Sequence, residues 1–350
     1  MATFCYQFSG LYNTANTLCT IMNIANKDES WDDLQQKLDA SFLQASFWGT
    51  FQDSLGYKTH SIYGDGWSCL LIDRRAKFMR YMLAPYGPTL ATADKLSEAL
   101  TDITKYSEQH GAKWLRIEPC LGLAANSQFD NLESLGFKIL KAPKQLNPNL
   151  TRVIDLTPKE DDILGSFSQS TRAIIRKNSR PPRLIYKTST NPKDIQHFLS
   201  MLRSVSNRNK VFFHPDEYFI KQAQTLMPKG HMKLELAFLS NKPVASIVMH
   251  DFNRVSSYTY AASMPEARGT NASALLLWQA ILNAKQAGMT RLDLYGIAPV
   301  DAKPTHSWYG FSEFKRKFGG QIIKRGQTLD IPLHPSYYLY RSALKARHLI

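Results

Sequence analysis

The chain has 350 residues, 43% of them hydrophobic, and a formal net charge of +14. This length suits two domains with substantial cores, and the lack of any run of 18 apolar residues excludes a predicted membrane-spanning helix. The four cysteines are scattered without a Cys-x-x-Cys pair, which argues against a metal site or a disulfide framework and is typical of a reducing compartment. Neither Lys nor Arg precedes Lys27, so the basic start of a signal peptide is absent. We expect a cytoplasmic protein with residues 1–30 as an N-terminal extension.

The positive charge is concentrated in the second part of the chain. Residues 1–150 carry 14 basic and 15 acidic side chains, whereas residues 151–350 carry 29 basic and 14 acidic ones. So uneven a distribution of charge favours a polyanionic partner, which can be nucleic acid, a phosphorylated substrate or an anionic membrane surface. The alternative is a basic surface that only keeps the protein soluble.

The predicted elements occur in an order that repeats. The first half contains helices over 31–56, strands at 57–63, 67–73 and 77–83, a helix at 91–110 and a strand at 114–118. After a strand at 151–156 and a helix capped by Thr157, the second half contains helices at 192–207 and 215–226, strands at 231–239, 243–250 and 254–262, a helix at 272–287 and a strand from 291.

Three positions also recur at one spacing, 177 residues apart, and each set follows a long predicted helix. The recurring positions are Gly111, Leu115 and Ile117 in the first half and Gly288, Leu292 and Leu294 in the second. We therefore predict two tandem copies of one α+β unit.

A short helix near the C-terminus carries a candidate catalytic group. Phe311, Phe314 and Phe318 form one apolar stripe over 308–318, and glycines follow the helix. Lys315 lies beside this stripe, where a cation can act as an oxyanion donor. The alternative is a solvated lysine on a surface helix.

From about residue 31 to the end, the chain resembles the Fem (FemABX-type) peptidyltransferases. These enzymes use aminoacyl-tRNA to add amino acids to the stem peptide of peptidoglycan precursors. The matching pieces occur in the family's order. They are Leu43–Gly49, Tyr86–Pro88, Arg116–Pro119, Leu135–Phe137, Ile154–Leu156, Thr171–Lys177, Asp293, Gly296, Phe314-Lys315 and Phe318–Gly320.

The resemblance implies an α+β fold of two tandem acetyltransferase-like (GNAT) domains. It implies a first domain of residues 31–156 plus 327–350, completed by the C-terminal segment, and a second domain of residues 157–326. The coiled-coil arm of some members is not expected, because only short helices lie between 207 and 231. The implied partners are aminoacyl-tRNA and a lipid-linked or UDP-linked precursor, with the inner membrane face as a further anionic surface for peripheral contact.

The resemblance also implies roles for individual residues. Lys315 matches the family lysine that stabilises the oxyanion, and Lys317 takes this role if the register differs by two. Arg208 resembles an arginine that contacts substrate phosphate, whereas Gln52 stands where the family often has a basic residue, which Lys58 could replace. The other predicted substrate-binding residues are Glu118 and Tyr260, and the predicted tRNA-binding residues are Arg172, Arg176, Arg180 and Arg183.

For Glu118 the alternative is a strand-end carboxylate paired with a nearby cation. No cofactor, metal or covalent nucleophile is expected, because an aminoacyl ester is already activated and needs mainly proximity and charge stabilisation.

Two other functions remain open from the sequence. A coenzyme-A-dependent N-acyltransferase would need a loop that holds pyrophosphate at a helix N-terminus. The nearest stretch is 266–272, where Glu266 occupies a position that suits a basic or amide side chain. A nucleic-acid-binding module would explain the basic half, but no RRM, KH or helix-turn-helix signature is present.

Overall fold

The computed structural model describes residues 22–25, 27–127, 129, 132–177, 184–209 and 213–346. Its strands are β1 Asn23–Ala25, β2 Thr59–Gly64, β3 Trp67–Ala76, β4 Met79–Ala84, β5 Thr89–Leu90, β6 Trp114–Ile117, β7 Leu140–Lys141, β8 Leu150–Asp155, β9 Leu184–Ser189, β10 Met232–Leu239, β11 Lys242–Phe252, β12 Val255–Ser263, β13 Arg291–Gly296, β14 Gln321–Lys324 and β15 Leu329–Pro332. Its helices are α1 Glu29–Lys37, α2 Ser46–Ser54, α3 Lys95–Gln109, α4 Glu160–Gly165, α5 Gln169–Lys177, α6 Ile195–Asn209, α7 Asp216–Leu226, α8 Ala272–Gln286, α9 Tyr309–Arg316 and α10 Ser336–Ala346.

The strands form two mixed sheets, one in each half of the molecule. The first sheet has the order β1-β2-β3-β4-β6-β15-β7, with β5 paired to β3, and the second has the order β14-β8-β13-β12-β11-β10-β9. The apolar stripe of α3 packs on the first sheet, and α8 packs on the second, so each sheet has its own core. This arrangement is the predicted α+β fold of two tandem units.

The repeat extends to individual backbone hydrogen bonds. The helices α3 and α8 both end at a glycine in the left-handed region, Gly111 with φ +74° and Gly288 with φ +78°. The strand after each helix then pairs parallel to the third strand of an antiparallel group, β6 with β4 and β13 with β12. At matching positions, the amides of Lys113 and Thr290 donate to the carbonyls of Arg80 and Arg254.

The two sheets exchange one strand each. Strand β8 follows β7 in the chain but lies in the second sheet, between β14 and β13. Strand β15 follows β14 but lies in the first sheet, between β6 and β7. Residues 329–332 of β15 stand 177 positions after residues 152–155 of β8, so the exchanged strands occupy the same place in the repeat.

A third apolar cluster joins the two halves. Helices α1 and α2 of the first half pack against α6, α7 and the face of β10 to β12 in the second half. The cluster includes wholly buried aromatic side chains from both halves, among them Phe51 and Phe219. Burial of this much apolar surface fixes the halves against each other.

Several predicted boundaries need correction. Part of the predicted N-terminal extension belongs to the fold, because β1 pairs with β2 at the edge of the first sheet. The predicted first domain extended to residue 156, whereas β8 lies in the second sheet. Thr157 does not cap a helix, because α4 begins after Lys159 and the Thr157 side chain bonds to Asp155.

The C-terminal helix α10 packs on the first sheet through Tyr337 and Tyr340. Of Tyr337, Tyr338 and Leu339, only Tyr337 is buried, and the Leu339 side chain is 74% exposed. Tyr340 stacks on Trp114 instead, with ring centroids 4.8 Å apart. In a helix, residues three apart lie on the same face, so Tyr337 and Tyr340 point together toward the sheet.

The described residues between α6 and β10 contain α7 and a short 3₁₀ turn, and they form no coiled-coil arm. Among the residues described, no helix combines the length and the apolar character that crossing a membrane requires.

Candidate functional site

The site is built around a fork between β12 and β13. These parallel strands pair at Val255–Ser257 and Arg291–Asp293, the first three residues of each, and the pairing that the structure describes between them ends there. Beyond this point, β12 continues to pair with β11 on its other side. Diverging strands leave backbone groups that an extended ligand can bind.

A bulge in β13 shapes the fork. Asp293 pairs with Val153 and Gly296 pairs with Thr151, so two residues of β13 oppose one residue of β8. Tyr295, inside the bulge, has φ +61°, and its amide donates to the Asp293 carboxylate at 2.7 Å. Such a conformation in a non-glycine residue is costly and often marks a functional position.

Lys315 reaches into this fork from α9. Its Nζ atom donates to the Gly296 carbonyl at 2.7 Å and lies 5.3 Å from the centre of the Tyr258 ring on β12. The ammonium group therefore bridges the two diverging strands. Gly296 lets Pro148 pack closely against the fork, because a Cβ atom there would lie 2.6 Å from Cγ of Pro148.

Burial sets the charge of Lys315. The residue is 6% exposed, and loss of water lowers the pKa of its side chain to about 7, while the nearby Asp293 carboxylate acts in the opposite direction. Asp293 is itself buried and accepts a hydrogen bond from Arg325 at 3.2 Å. Arg325 also donates to the Leu123 carbonyl at 2.6 Å, so this group of charges ties the second sheet to the first half.

The predicted phenylalanine stripe on α9 is only partly correct. Phe318 is buried, but Phe311 is 41% exposed and its ring covers the Lys315 ammonium at 5.0 Å. Ser312 holds the helix in place by accepting a hydrogen bond from the Ala298 amide. Lys317, the second candidate, is exposed on the surface just after α9, so only Lys315 reaches the fork.

Glu118 lies 177 positions before Tyr295, at the same place in the repeat, and it holds the first half together. Its carboxylate is fully buried and accepts hydrogen bonds from Asn147, Thr328 and the Tyr86 amide. Burial raises the pKa of this carboxyl group, and the hydrogen bonds oppose the effect. The partners are amide and hydroxyl donors rather than the cation that the alternative interpretation expected.

Tyr260 lies in the apolar cluster between the halves. Its ring meets Phe219 edge to face at 5.1 Å, and its hydroxyl shares a hydrogen bond with Tyr218 on α7. Burial raises the pKa of Tyr260 to about 12, so the hydroxyl stays protonated and able to donate. Tyr218 is a further candidate that was not predicted, although the Tyr218-Phe219 pair on an amphipathic helix is a signal present in the sequence.

The other predicted substrate-binding residues differ in burial. Gln52 is buried in α2, which packs against α7, whereas Lys58 and Arg208 are exposed. Gln222, which the sequence analysis also missed, is wholly buried on α7, and its amide has no hydrogen-bond partner in the described part of the chain. An orphaned buried amide at this interface offers a polar contact to a ligand.

The predicted tRNA-binding arginines are not equivalent. Arg172 donates to the carbonyls of Gly165 and Phe167 at 2.9 and 2.7 Å, which places its guanidinium at the end of α4. Arg176 is exposed on α5. Arg180 and Arg183 lie outside the described residues.

The loop before α8 tests the coenzyme A alternative. Thr270 accepts a hydrogen bond from the Ala272 amide, and Asn271 accepts from the Ala274 and Leu275 amides through its carbonyl. Amides at the start of α8 thus have protein partners, and Glu266 is exposed in the same loop. Both features disfavour a bound pyrophosphate.

Comparison with known proteins agrees with this architecture. The family model described as the FemAB family matches residues 28–241 and 237–345. No curated protein sequence matches the chain.

Solved structures share the fold at low sequence identity. The crystal structure of FemX is 15% identical, with a TM-score of 0.79, over 91% of this chain and 99% of that one. A tandem GNAT protein from the clavulanic acid biosynthesis pathway is 10% identical, with a TM-score of 0.54, over 90% and 99% of the two chains. L-PGS from Bacillus licheniformis is 14% identical, with a TM-score of 0.52, over 92% and 97%. Since the family model covers most of the chain, this protein belongs to the FemAB family of acyltransferases in peptidoglycan synthesis.

Proposed function

We propose that the protein transfers an amino acid from aminoacyl-tRNA to the stem-peptide amine of a peptidoglycan precursor. The observation that carries this proposal is the ammonium group of Lys315, buried in the fork between β12 and β13. The neighbouring lysine, Lys317, is exposed and does not enter the fork. A fixed cation in a low-dielectric fork suits the stabilisation of a developing oxyanion.

The reaction requires no cofactor in this proposal. The neutral acceptor amine attacks the carbonyl carbon of the aminoacyl ester, and a carbon–nitrogen bond forms as the carbonyl oxygen becomes negative. The cationic Lys315 stabilises that oxygen. Collapse of the intermediate breaks the ester carbon–oxygen bond, and the proton from the amine ends on the ribose hydroxyl of the released tRNA.

The pKa of Lys315 fits this role near neutral pH. A value of about 7 leaves the group partly cationic in the free protein, and a developing oxyanion favours the protonated form further. At higher pH the group loses its charge and the stabilisation disappears. At lower pH the acceptor amine is protonated and cannot attack, so the rate should pass through a maximum.

The interface between the halves around Tyr260 is the proposed binding site for the precursor. Tyr260 accepts a hydrogen bond from Tyr218 and keeps its own hydroxyl proton to donate, and Gln222 supplies an amide without a partner among the described residues. Arg208 and Lys58, both exposed, are proposed to contact the phosphates. Glu118 is proposed to support the site only from behind, because its carboxylate is fully buried and hydrogen bonded.

The basic residues of 151–350 are the proposed contact surface for the tRNA backbone. Arg176 is the described member of the arginine group that faces solvent, whereas Arg172 is engaged with carbonyls of the fold. Binding should weaken steeply between low and physiological salt, because each neutralised phosphate releases counterions. An affinity that stays flat over this range would remove the surface from the proposal.

Single-turnover transfer with a pool of charged tRNAs tests the function directly. The acceptors would be lysine- and diaminopimelate-containing precursors, in UDP-linked and lipid-linked form, and mass spectrometry would identify the added residue. Acetyl-coenzyme A in place of charged tRNA is the matched donor control. Acylation from coenzyme A alone would replace the proposed function with the coenzyme-A-dependent alternative.

Two lysine variants test the role of the fork. Lys315→Met should lower the transfer rate about 10²–10³-fold and leave tRNA binding nearly unchanged, because one preorganised oxyanion donor contributes on this order. Lys317→Met is the control and should cost much less. Lys315→Arg should also be poor, because a planar guanidinium does not replace a compact ammonium in a buried fork. Near-normal transfer by Lys315→Met would exclude Lys315 from the mechanism.

A further inference from the structure

The hairpin that joins β3 and β4 carries a fully exposed aromatic side chain. Ala76 pairs with Met79, so the turn consists of Lys77 and Phe78. Lys77 has φ +55°, and the Phe78 side chain is 100% exposed. A large apolar side chain placed entirely in water at the tip of a hairpin contributes nothing to the core and is available for contact with another surface.

Basic side chains surround this tip. Arg75 and Lys77 are exposed and have no carboxylate partner among the described residues. Nearer the sheet, Arg80 pairs with Asp73 and the Arg74 guanidinium lies 3.9 Å above the Tyr57 ring. The tip thus combines one apolar side chain with two free cations, whereas residues 1–150 as a whole carry almost no net charge.

We propose that this hairpin docks on an anionic phospholipid bilayer, with Phe78 inserted among the acyl chains near the headgroups and Arg75 and Lys77 against lipid phosphates. An aromatic side chain flanked by cations has the chemistry of an interfacial membrane anchor. The long stems of Arg75 and Lys77 let their charged ends remain at headgroup level while Phe78 goes deeper.

The same hairpin leads to the interface between the halves. Strand β4 runs from the tip to Ala84, and Tyr86, two residues later, donates its hydroxyl to the Pro148 carbonyl. The six residues of β4 span about 20 Å. On the proposed function, docking would hold the proposed binding site at a fixed height above the bilayer, where a lipid-linked acceptor could reach it.

The base of the hairpin lies beside α7. The Arg74 side chain on the hairpin contributes to the lowered pKa of His214, after the larger effect of burial. His214 stacks on Tyr218 of α7 with ring centroids 4.1 Å apart. Arg74 therefore lies close to the proposed binding site, whereas Arg75, the next residue of the strand, points to the opposite face.

The test is partition of the full-length protein onto vesicles, without tRNA or precursor. Vesicles of phosphatidylcholine containing about one third phosphatidylglycerol would be compared with phosphatidylcholine alone. Phe78→Ser should lower the partition coefficient on the anionic vesicles about tenfold. The double variant Arg75→Gln/Lys77→Gln should lower it on the order of tenfold or more, since each cation near the surface contributes roughly fivefold.

Matched variants in the second half control for general charge and hydrophobicity. Ile185→Ser removes another exposed apolar side chain, and Lys229→Gln/Lys242→Gln removes two other exposed cations. Both should change the partition less than about twofold. Equal binding by Phe78→Ser and the wild type would overturn the proposal. An equal loss of lipid-free tRNA binding would assign Phe78 to base stacking instead.

This experiment is independent of the transfer reaction. A protein that transfers amino acids but whose Phe78→Ser variant binds vesicles normally would retain the proposed function and lose the anchor. The reverse result, with anchoring but no transfer, would retain the anchor alone.

Discussion

Both halves of the molecule contain a pair of parallel strands that is joined at three positions, but the chain beyond this pairing differs between the halves. In the first half, the chain continues to pair after β4 and β6 end, because the Glu118 amide donates to the Gly87 carbonyl and the Cys120 amide donates to the Pro88 carbonyl. The Glu118 carboxylate closes the junction further. In the second half, β12 and β13 separate and Lys315 occupies the gap.

The difference comes from a few equivalent positions. By register, Tyr86 in the first half corresponds to Tyr260 in the second, and Glu118 corresponds to Tyr295. Replacing a carboxylate by a tyrosine at the second position removes the acceptor that draws the strands together. One copy of the unit thereby braces the structure, while the other holds the buried Lys315 between its strands.

Both halves bury a charge at the same place in the repeat, with opposite sign. Arg116 on β6 pairs with Asp330 at 2.6 Å, and Asp293 on β13 pairs with Arg325 at 3.2 Å. Each partner comes from the C-terminal segment that crosses between the sheets. The second pair places a carboxylate near Lys315, whereas the first lies in a fully closed junction.

The largest expected effect comes from breaking the pair in the closed half. Asp330→Ala leaves Arg116 buried without its carboxylate, which should lower the free energy of unfolding in urea by about 3–5 kcal/mol. The double variant Arg116→Met/Asp330→Leu should recover most of this loss, because apolar side chains can replace a buried pair. A loss below about 1 kcal/mol in the single variant would mean that the pair does not hold the first half together.

Removal of the Glu118 carboxylate should have the next largest effect on the free energy of unfolding. Glu118→Ala leaves several buried donors unsatisfied and should cost roughly 3 kcal/mol of unfolding free energy. Tyr295→Phe, at the equivalent position of the open fork, should cost less than about 1 kcal/mol. A stable Glu118→Ala variant that has lost transfer would instead place this carboxylate in contact with substrate.

The burial of Lys315 in the fork of the second half should make the free energy of unfolding depend on pH. Lys315 has a lower pKa folded than unfolded, so the unfolded chain binds more protons between pH 7 and 10.5, and the free energy of unfolding rises with pH there. Between about pH 6 and pH 9, the wild type should gain about 2–3 kcal/mol relative to Lys315→Met. Parallel urea titrations of the two proteins measure the difference. Equal pH dependence would contradict the assigned burial of the cation.

The smallest expected effect on stability concerns the carbonyl that holds the lysine. A Cβ atom at Gly296 would press on Pro148, so Gly296→Ala should cost about 1–2 kcal/mol and should lower transfer by displacing the acceptor of Lys315. Gly310→Ala is the matched control, because it lies in the same region with no atom within 4 Å of the added Cβ. Similar transfer rates in the two variants would show that the position of the carbonyl is unimportant.

The repeat and the two α+β units could be predicted because their signals are local. Periodic apolar residues mark α3 and α8, and the glycines after them need the left-handed conformation. The sequence around Lys315, with its phenylalanine stripe, also predicts this lysine as a candidate catalytic group. Its burial was not predicted, because the acceptor that holds it is a carbonyl 19 residues away and α9 ends before Phe318.

The features of the fold that could not be predicted from local sequence depend on contacts between residues far apart in the chain. Only the family resemblance implies that residues 327–350 return to the first half, because β15 has four residues without strong periodicity and its partner β6 lies more than 200 positions earlier. The role of Glu118 depends on donors at Asn147 and Thr328, which chain order does not bring together. Side-chain burial at such points follows from topology rather than from local pattern.

The strand exchange has a consequence for how the protein is made. The first sheet needs β15, so its junction between β6 and β7 stays unfilled until nearly the whole chain has left the ribosome. The second sheet, by contrast, takes β8 from a segment synthesised before the rest of its strands. Contacts of such sequence separation form slowly. The half that is synthesised first is therefore completed last, and a chain that stops before residue 329 would leave both β6 and β7 without their shared neighbour.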